Sequence, residues 1–291
     1  MIARSLSAGR AVRLSLLSLG AIVMLAPYIW MVSVAGKSRA EIFSSSLNLI
    51  PETWSYGANI AKALGRVPMG TLLFNGVLVC GLILFFQVVV ALPCAYAMAK
   101  LRFRGLKPMM ALVMLGLLVP IHATALPIYL AFGELSMLNS YTALVAPFTI
   151  SVFAIFLFLQ FFRALPDDLI DAARLDGMSE ISILLRVVVP NAWPAVTAFA
   201  IFSVVAHWND LFWPLIVVTD GRYATPPLGL LFFRSAEAGD DYGALMAATL
   251  IITLPLVVAF LLAQKRFVEG ITMTGLMIAK QLNTSGVYDI A

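Results

Sequence analysis

The chain has 291 residues, 62% of them hydrophobic and 12% charged, with a mean hydropathy of +0.97. Soluble domains carry about 25% charged residues, so the deficit excludes an ordinary water-soluble globule and points to lipid as the solvent. The formal charge of +4 is spread over membrane-boundary positions and forms no basic stripe, which excludes a nucleic-acid surface, and two histidines with two cysteines leave little for a metal site.

An arm with Arg4, Arg10 and Arg13 leads into an apolar run from Leu14 to Ala35. About 20 apolar residues cross the hydrocarbon core as a helix. The run has no small-residue cleavage site, so it is expected to stay as an anchor. Tyr28 and Trp30 stand near its far end, where amphipathic rings favour the interface. Gly36 to Thr71, with Pro51, Trp54, Gly57 and Pro68, has no sustained apolar period and is expected to be an extramembrane loop with short helical pieces.

The second span is expected over 74–98, interrupted by Gln87 and Pro93 and followed by Lys100, Arg102, Arg104 and Lys107. It holds both Cys80 and Cys94, which helical rise would put about 21 Å apart, too far for a disulfide. The third span, 108–130, contains Pro120, His122 and Pro127, and a polar link with Glu134 and Asn139 leads to the fourth, 141–162. The charged segment Pro166–Pro190 comes next. The fifth span, 193–213, carries His207-Trp208-Asn209-Asp210. A loop with Asp220, Glu237, Asp240 and Asp241 follows, and the sixth span covers 245–263 with Pro255 inside and Lys265-Arg266 at its end. The prolines at 93, 120, 127 and 255 are expected to kink helices around a cavity. The fold expected is an all-α polytopic membrane protein of six transmembrane helices in one domain.

Basic residues orient it. With the N-terminus inside, the inner pieces hold Arg4, Arg10, Arg13, Lys100, Arg102, Arg104, Lys107, Arg163, Arg174, Arg186, Lys265, Arg266 and Lys280. The outer pieces hold Lys37, Arg39, Lys62, Arg66, Arg222 and Arg234, mostly in the long first loop, where the positive-inside bias is weakest. Both termini, and Pro166–Pro190 with them, are expected in the cytoplasm.

That segment reads as helix, turn, helix. Pro166 suits a first helical position, and Asp167 and Asp168 favour the positive end of the dipole. Leu169, Ile170, Ala172 and Ala173 make a compact apolar surface on a helix too short to be stable alone in water, and the two alanines would let another surface approach closely. Gly177 supplies the left-handed residue that ends such a helix. Ser179 can cap the next one, which carries Ile181, Ile183, Leu184 and Leu185 towards Pro190 and Pro194. Two readings stand side by side: an amphipathic loop lying on the headgroups, or a docking element for a partner.

The spacing resembles a family signature. Asp171-Ala172-Ala173, then Gly177 four residues on, then Val187-Val188-Val189-Pro190 after nine more, is similar to the Glu-Ala-Ala, Gly and Ile-x-Leu-Pro pattern of permease subunits of binding-protein-dependent ABC importers. Asp for Glu and valines for larger aliphatics are the departures. Ala95-Tyr96-Ala97, Arg102-Phe103-Arg104-Gly105, Leu165-Pro166, Trp208-Asn209-Asp210 and Gln264-Lys265-Arg266-Phe267-Val268-Glu269-Gly270 resemble the carbohydrate-uptake, maltose-type members. The likeness covers roughly residues 10 to 275; Met277 to Ala291 match nothing in it.

The resemblance implies a type I ABC importer permease fold in the bacterial cytoplasmic (inner) membrane. It implies a second homologous permease, two copies of a cytoplasmic ATPase subunit and an extracytoplasmic solute-binding protein as partners. Asp171, Ala172, Ala173, Arg174, Asp176 and Gly177 would be the ATPase-coupling residues. ATP and Mg would be used by the partner ATPase and no cofactor bound by this chain, which has no Gly-x-x-x-x-Gly-Lys-Ser/Thr loop.

Polar groups at membrane depth are costly and usually face protein or water. The candidates for the solute path are His122, Asn75, Gln87, His207, Trp208, Asn209 and Asp210, with Trp213 nearby as a stacking ring. Several have a plainer reading: Asn75 and Asp210 as helix-end groups, Gln87 as a bond to a neighbouring helix. An ion-coupled secondary transporter is the rival function, but paired intramembrane charges and repeated halves are wanting. No serine–histidine, paired-aspartate or metal-ligand constellation marks an enzyme. Sugar, oligosaccharide, sugar alcohol, glycerol phosphate and sulfonated sugar all remain open as solutes.

Overall fold

The computed structural model describes residues 8–44, 48–233 and 241–284, with side chains up to Gln264. Arg4, Arg234, Glu237 and Asp240 lie outside the described residues, as do the side chains of Lys265, Arg266, Lys280 and the Phe267–Gly270 run. Among the described residues every regular element is a helix. Three are long and apolar enough to cross a membrane: α1 (Ala8–Ala35), α3 (Met69–Lys100) and α12 (Tyr242–Thr284). The shorter α2 (Tyr56–Arg66) precedes α3. Three bent helix pairs bring the possible spans to six.

The first two bends have a local cause. α4 (Leu106–Leu118) and α5 (Ala125–Glu134) belong to a pair bent by 91°. Pro120 forces the residue before it out of the helical region, and Val119 is extended at φ −77°, ψ 117°. The third apolar segment is therefore a broken pair, where one kinked helix over 108–130 is expected from sequence. α6 (Tyr141–Val145) and α7 (Val152–Ala164) are joined by a tight turn at Ala146–Phe148, and Ser151 caps α7 by accepting from the Ala154 amide at 3.1 Å. α8 (Asp167–Leu175) and α9 (Glu180–Ile183) come next. α9 runs on through a π-helical turn at Leu184–Val188 to Asn191. α10 (Trp193–Trp208) then leaves at 79°.

The fifth helix stops at Trp208, short of the expected 213. The Asp210 carboxylate accepts from the Trp213 amide at 3.3 Å and starts a separate α11 (Phe212–Val217). α12, by contrast, continues past the expected end at 263 to Thr284.

The chain forms two compact units. One comprises the residues up to Met69 with Gly229–Leu254; the other comprises Gly70–Leu228 with the residues from Pro255 on. In the first, the loop after α1 is tied by polar bonds: Glu41 accepts from the Glu52 amide at 2.9 Å and from Thr53 Oγ1 at 2.7 Å, and Asn59 Nδ2 donates to the Ala35 and Lys37 carbonyls at 2.9 Å each. The second unit holds the main apolar core, in which α7 packs against α4 and α10. Phe158 meets Phe199 edge-on with centroids 5.5 Å apart, and Ala95 and Met98 of α3 join the same cluster. Ile170 and Ala173 of α8 and Ile183, Leu184 and Val188 after it are buried there too. The charged segment is thus rooted in the protein core rather than laid loosely beside it.

Candidate functional site

α8 divides into two faces. Ile170 and Ala173 point into the core, while Asp167, Asp168, Asp171, Ala172, Arg174 and Leu175 are exposed. Leu175 is 90% exposed and Ile181, across the turn, 72%. Of the two alanines only Ala172 is on the open face; Ala173 packs inward, because three-residue spacing places it above Ile170 on one helical stripe. Leu175, which composition did not single out, takes its place on the outer side.

The turn is a Schellman arrangement. Gly177 has φ +77°, its amide donates to Arg174 O at 3.0 Å, and the Met178 amide donates to Ala173 O at 3.1 Å. Ser179 caps α9 by accepting from the Ser182 amide at 3.4 Å.

Two polar clips hold this segment to the end of α3. Lys100 Nζ donates to Leu165 O at 2.7 Å and to Asp167 Oδ1 at 2.6 Å. Tyr96 Oη donates to Glu180 Oε2 at 2.5 Å, Glu180 Oε1 accepts from Arg174 Nε at 2.8 Å, and Arg174 Nη1 reaches Asp171 Oδ1 at 3.1 Å. The bond from Lys100 holds the Asp167 carboxyl below its ordinary value, and Glu180 holds the Arg174 guanidinium above its own. Tyr96, Lys100 and Glu180 escape a reading that looks for chemistry residue by residue. The signal available was their spacing, since residues 96 and 100 share one helix face.

At another level of the same unit a cavity of about 350 Å³ is lined by His122, Phe148, His207, Asp210, Phe212 and Trp213 among others. His122 stands edge-on to Phe212 at 4.7 Å and His207 lies tilted against Phe148 at 4.9 Å. Gln87 stands behind His207. Its Nε2 donates to Phe148 O at 3.0 Å and faces His207 Nε2 at 3.4 Å, and its Oε1 accepts from Ser203 Oγ at 2.6 Å. A hydrogen bond between Gln87 and His207 requires the histidine Nε2 to be unprotonated.

The structure brings His122, His207 and Asp210 together, with Gln87 behind His207, and separates Asn75, Trp208 and Asn209. Asn75 is fully buried and spent on structure: Nδ2 donates to Arg222 O and Ala224 O at 2.9 and 2.8 Å, and Oδ1 accepts from Tyr141 Oη at 2.7 Å. Asn209 donates back to Val205 O at 2.8 Å. Trp208 is buried close to Gly76 rather than lining the cavity.

A family model described as the binding-protein-dependent transport system inner membrane component matches residues 87–273, the stretch holding both α8 and the cavity. The chain belongs to that family. This permease is 34% identical over 194 residues to the arabinooligosaccharides transport system permease protein AraQ of Bacillus subtilis strain 168, covering 67% of each chain. It is 30% identical over 267 residues to the sn-glycerol-3-phosphate transport system permease protein UgpE of Pectobacterium atrosepticum, covering 88% of this chain and 93% of the relative. Its fold is similar to a chain of a bacterial ABC transporter involved in the import of the acidic polysaccharide alginate, with a TM-score of 0.79, 21% identity and 92% and 99% of the two chains covered. The permease is a membrane component of a binding-protein-dependent transport system, and the rival ion-coupled transporter is set aside.

Proposed function

We propose that the permease moves an uncharged sugar or a related polyhydroxy solute, delivered by an extracytoplasmic binding protein, into the cytoplasm. It pairs with a second homologous permease above two copies of an ATPase subunit, which uses ATP and Mg while this chain binds no cofactor and hydrolyses nothing. It lies in the bacterial cytoplasmic (inner) membrane with both termini inside and residues 1–291 acting as one transmembrane domain. The outer face of α8, with Asp171, Ala172, Arg174, Asp176 and Gly177, is the surface the ATPase grips.

The observation that carries this reading is the open half of α8. A bare leucine at 90% exposure beside a small alanine, on a helix fastened to the core by its other half, is a knob made for a complementary groove. The solute class follows from the cavity, where aromatic faces alternate with a few polar groups as in small-molecule sites. Its described lining includes Asp210 and two histidines but no lysine or arginine, and a carboxylate without a cation disfavours an anion. An uncharged solute fits better than a phosphate or sulfonate.

In a background without Cys80 and Cys94, Ala172→Cys should crosslink to the ATPase subunit of the assembled complex. A cysteine at Ala173 should resist labelling. Failure of Ala172→Cys to capture an ATP-hydrolysing partner, or its labelling from the outer side of sealed cells, defeats the docking role. Preference of the cognate binding protein for phosphorylated or sulfonated sugars defeats the solute class.

A further inference from the structure

We infer that Tyr96 and Lys100 are positioning residues that make α3 the rod carrying displacement of α8 to the solute cavity. The inference rests on α8 being the ATPase-docking helix and supplies the intramolecular path that such docking requires.

The two side chains are four residues apart and so project from one face of α3. They grip opposite ends of α8. Lys100, whose side chain is only 5% exposed despite its charge, holds the N-terminal end through Leu165 O and Asp167. Tyr96 holds the C-terminal end through Glu180, which in turn takes the Arg174 guanidinium. Packing of Ile170 and Ala173 alone is non-directional and would let the helix slide or roll over the core. Directional, charge-assisted bonds at both ends prevent that, being about twice as strong as neutral ones. A pull on the outer face of α8 therefore moves α3 with it.

α3 remains one helix through Pro93 back to Gln87, nine residues from Tyr96 and about 13–14 Å along the axis. At that level Gln87 is the single side chain bonded both to α10, through Ser203 and His207, and to the turn before α7, through Phe148 O, among the described contacts. His207 and Phe148 line the cavity. A shift of α3 along its axis by an ångström or two must break or re-pair the Gln87 bonds, because hydrogen bonds weaken steeply outside their narrow distance range. One helix thus joins the docking surface to the cavity wall at two sets of polar contacts.

The test uses the complete complex in proteoliposomes with its binding protein, and follows solute uptake and ATP hydrolysis separately. Tyr96→Phe and Lys100→Met, alone and together, should leave hydrolysis running while solute moved per ATP falls by about tenfold, the scale of one lost charged hydrogen bond. Lys100→Arg, which keeps a donor, should recover most of it. Proportional loss of uptake and hydrolysis, or unchanged uptake per ATP in the double variant, overturns the proposal. The crosslink from Ala172→Cys separates it from the docking reading. A parent complex without the crosslink overturns both. Loss of the crosslink in the variants alone overturns the rod, since these residues would then only hold the docking surface in place.

Discussion

Gly177 ends α8 at φ +77°, and beyond its two chain neighbours no heavy atom lies within 4 Å of where a Cβ would stand. A side chain there meets open space, so its cost is purely conformational, about 1–2 kcal/mol for a residue other than glycine. Gly177→Val should therefore insert normally yet lose transport at equal membrane expression, while Gly177→Asn, which tolerates the left-handed region, should keep much of it. The Lys100–Asp167 clip makes a pH prediction. A carboxyl lowered on folding stabilises fully above its ordinary value, near 3.9, and that stability is lost as pH falls through the lowered folded value. Amide exchange at residues 166–170, corrected for intrinsic rate, should quicken below about pH 4 in the parent and be insensitive there in Asp167→Asn. The glycine was legible from spacing alone. Asn75 was not: a polar residue in an apolar run announces that it needs partners, but whether these are a solute or the Arg222 and Ala224 carbonyls depends on a loop some 150 positions away.

At the scale of elements, the breaks matter more than the helices. Proline at 120 and a carboxylate at 210 each divide an apolar run that hydropathy reads as continuous or nearly so. The break after Trp208 lets His207 and Asp210 face one cavity with His122. Gln87 secures that arrangement from α3. Gln87→Leu would leave Ser203 Oγ and Phe148 O without their buried partner, at a cost of about 1–3 kcal/mol. Thermal unfolding of the purified permease should shift down accordingly, and Gln87→Asn, too short to span both sides, should not restore it. Polar–apolar periodicity could have paired Ser203 with His207 on one face of α10, yet nothing in it shows that α3 supplies the residue between them.

At the scale of the whole molecule, α1 is the least covered of the three long helices, with 11% of its apolar window buried. Leu16, Leu17, Ile22 and Met24 are each more than half exposed. Such a surface is stable only against lipid or an apolar partner, which accords with a permease that works in an assembly. In the orientation we propose, from the positive-inside bias of the basic residues at 100, 102, 104 and 107, the base of α3 and α8 with it face the cytoplasm. A membrane-impermeant thiol reagent should therefore label Leu175→Cys in inside-out vesicles and not in intact cells, with protection when the ATPase is bound. Labelling from outside would invert the topology.

Hydrophobic run length and basic flanks were enough to establish a helical membrane protein, because they depend on local solvent preference, and the Asp-Ala-Ala…Gly spacing resembled the permease family closely enough to mark the turn that we propose as the docking element. Which face of α8 is free, which polar residues meet at one cavity, and how Tyr96 and Lys100 clasp the segment were decided only by tertiary packing. Contacts between residues 96 and 180 or 87 and 203 depend on how separate helices lie together, and no periodicity within either helix encodes the other's position.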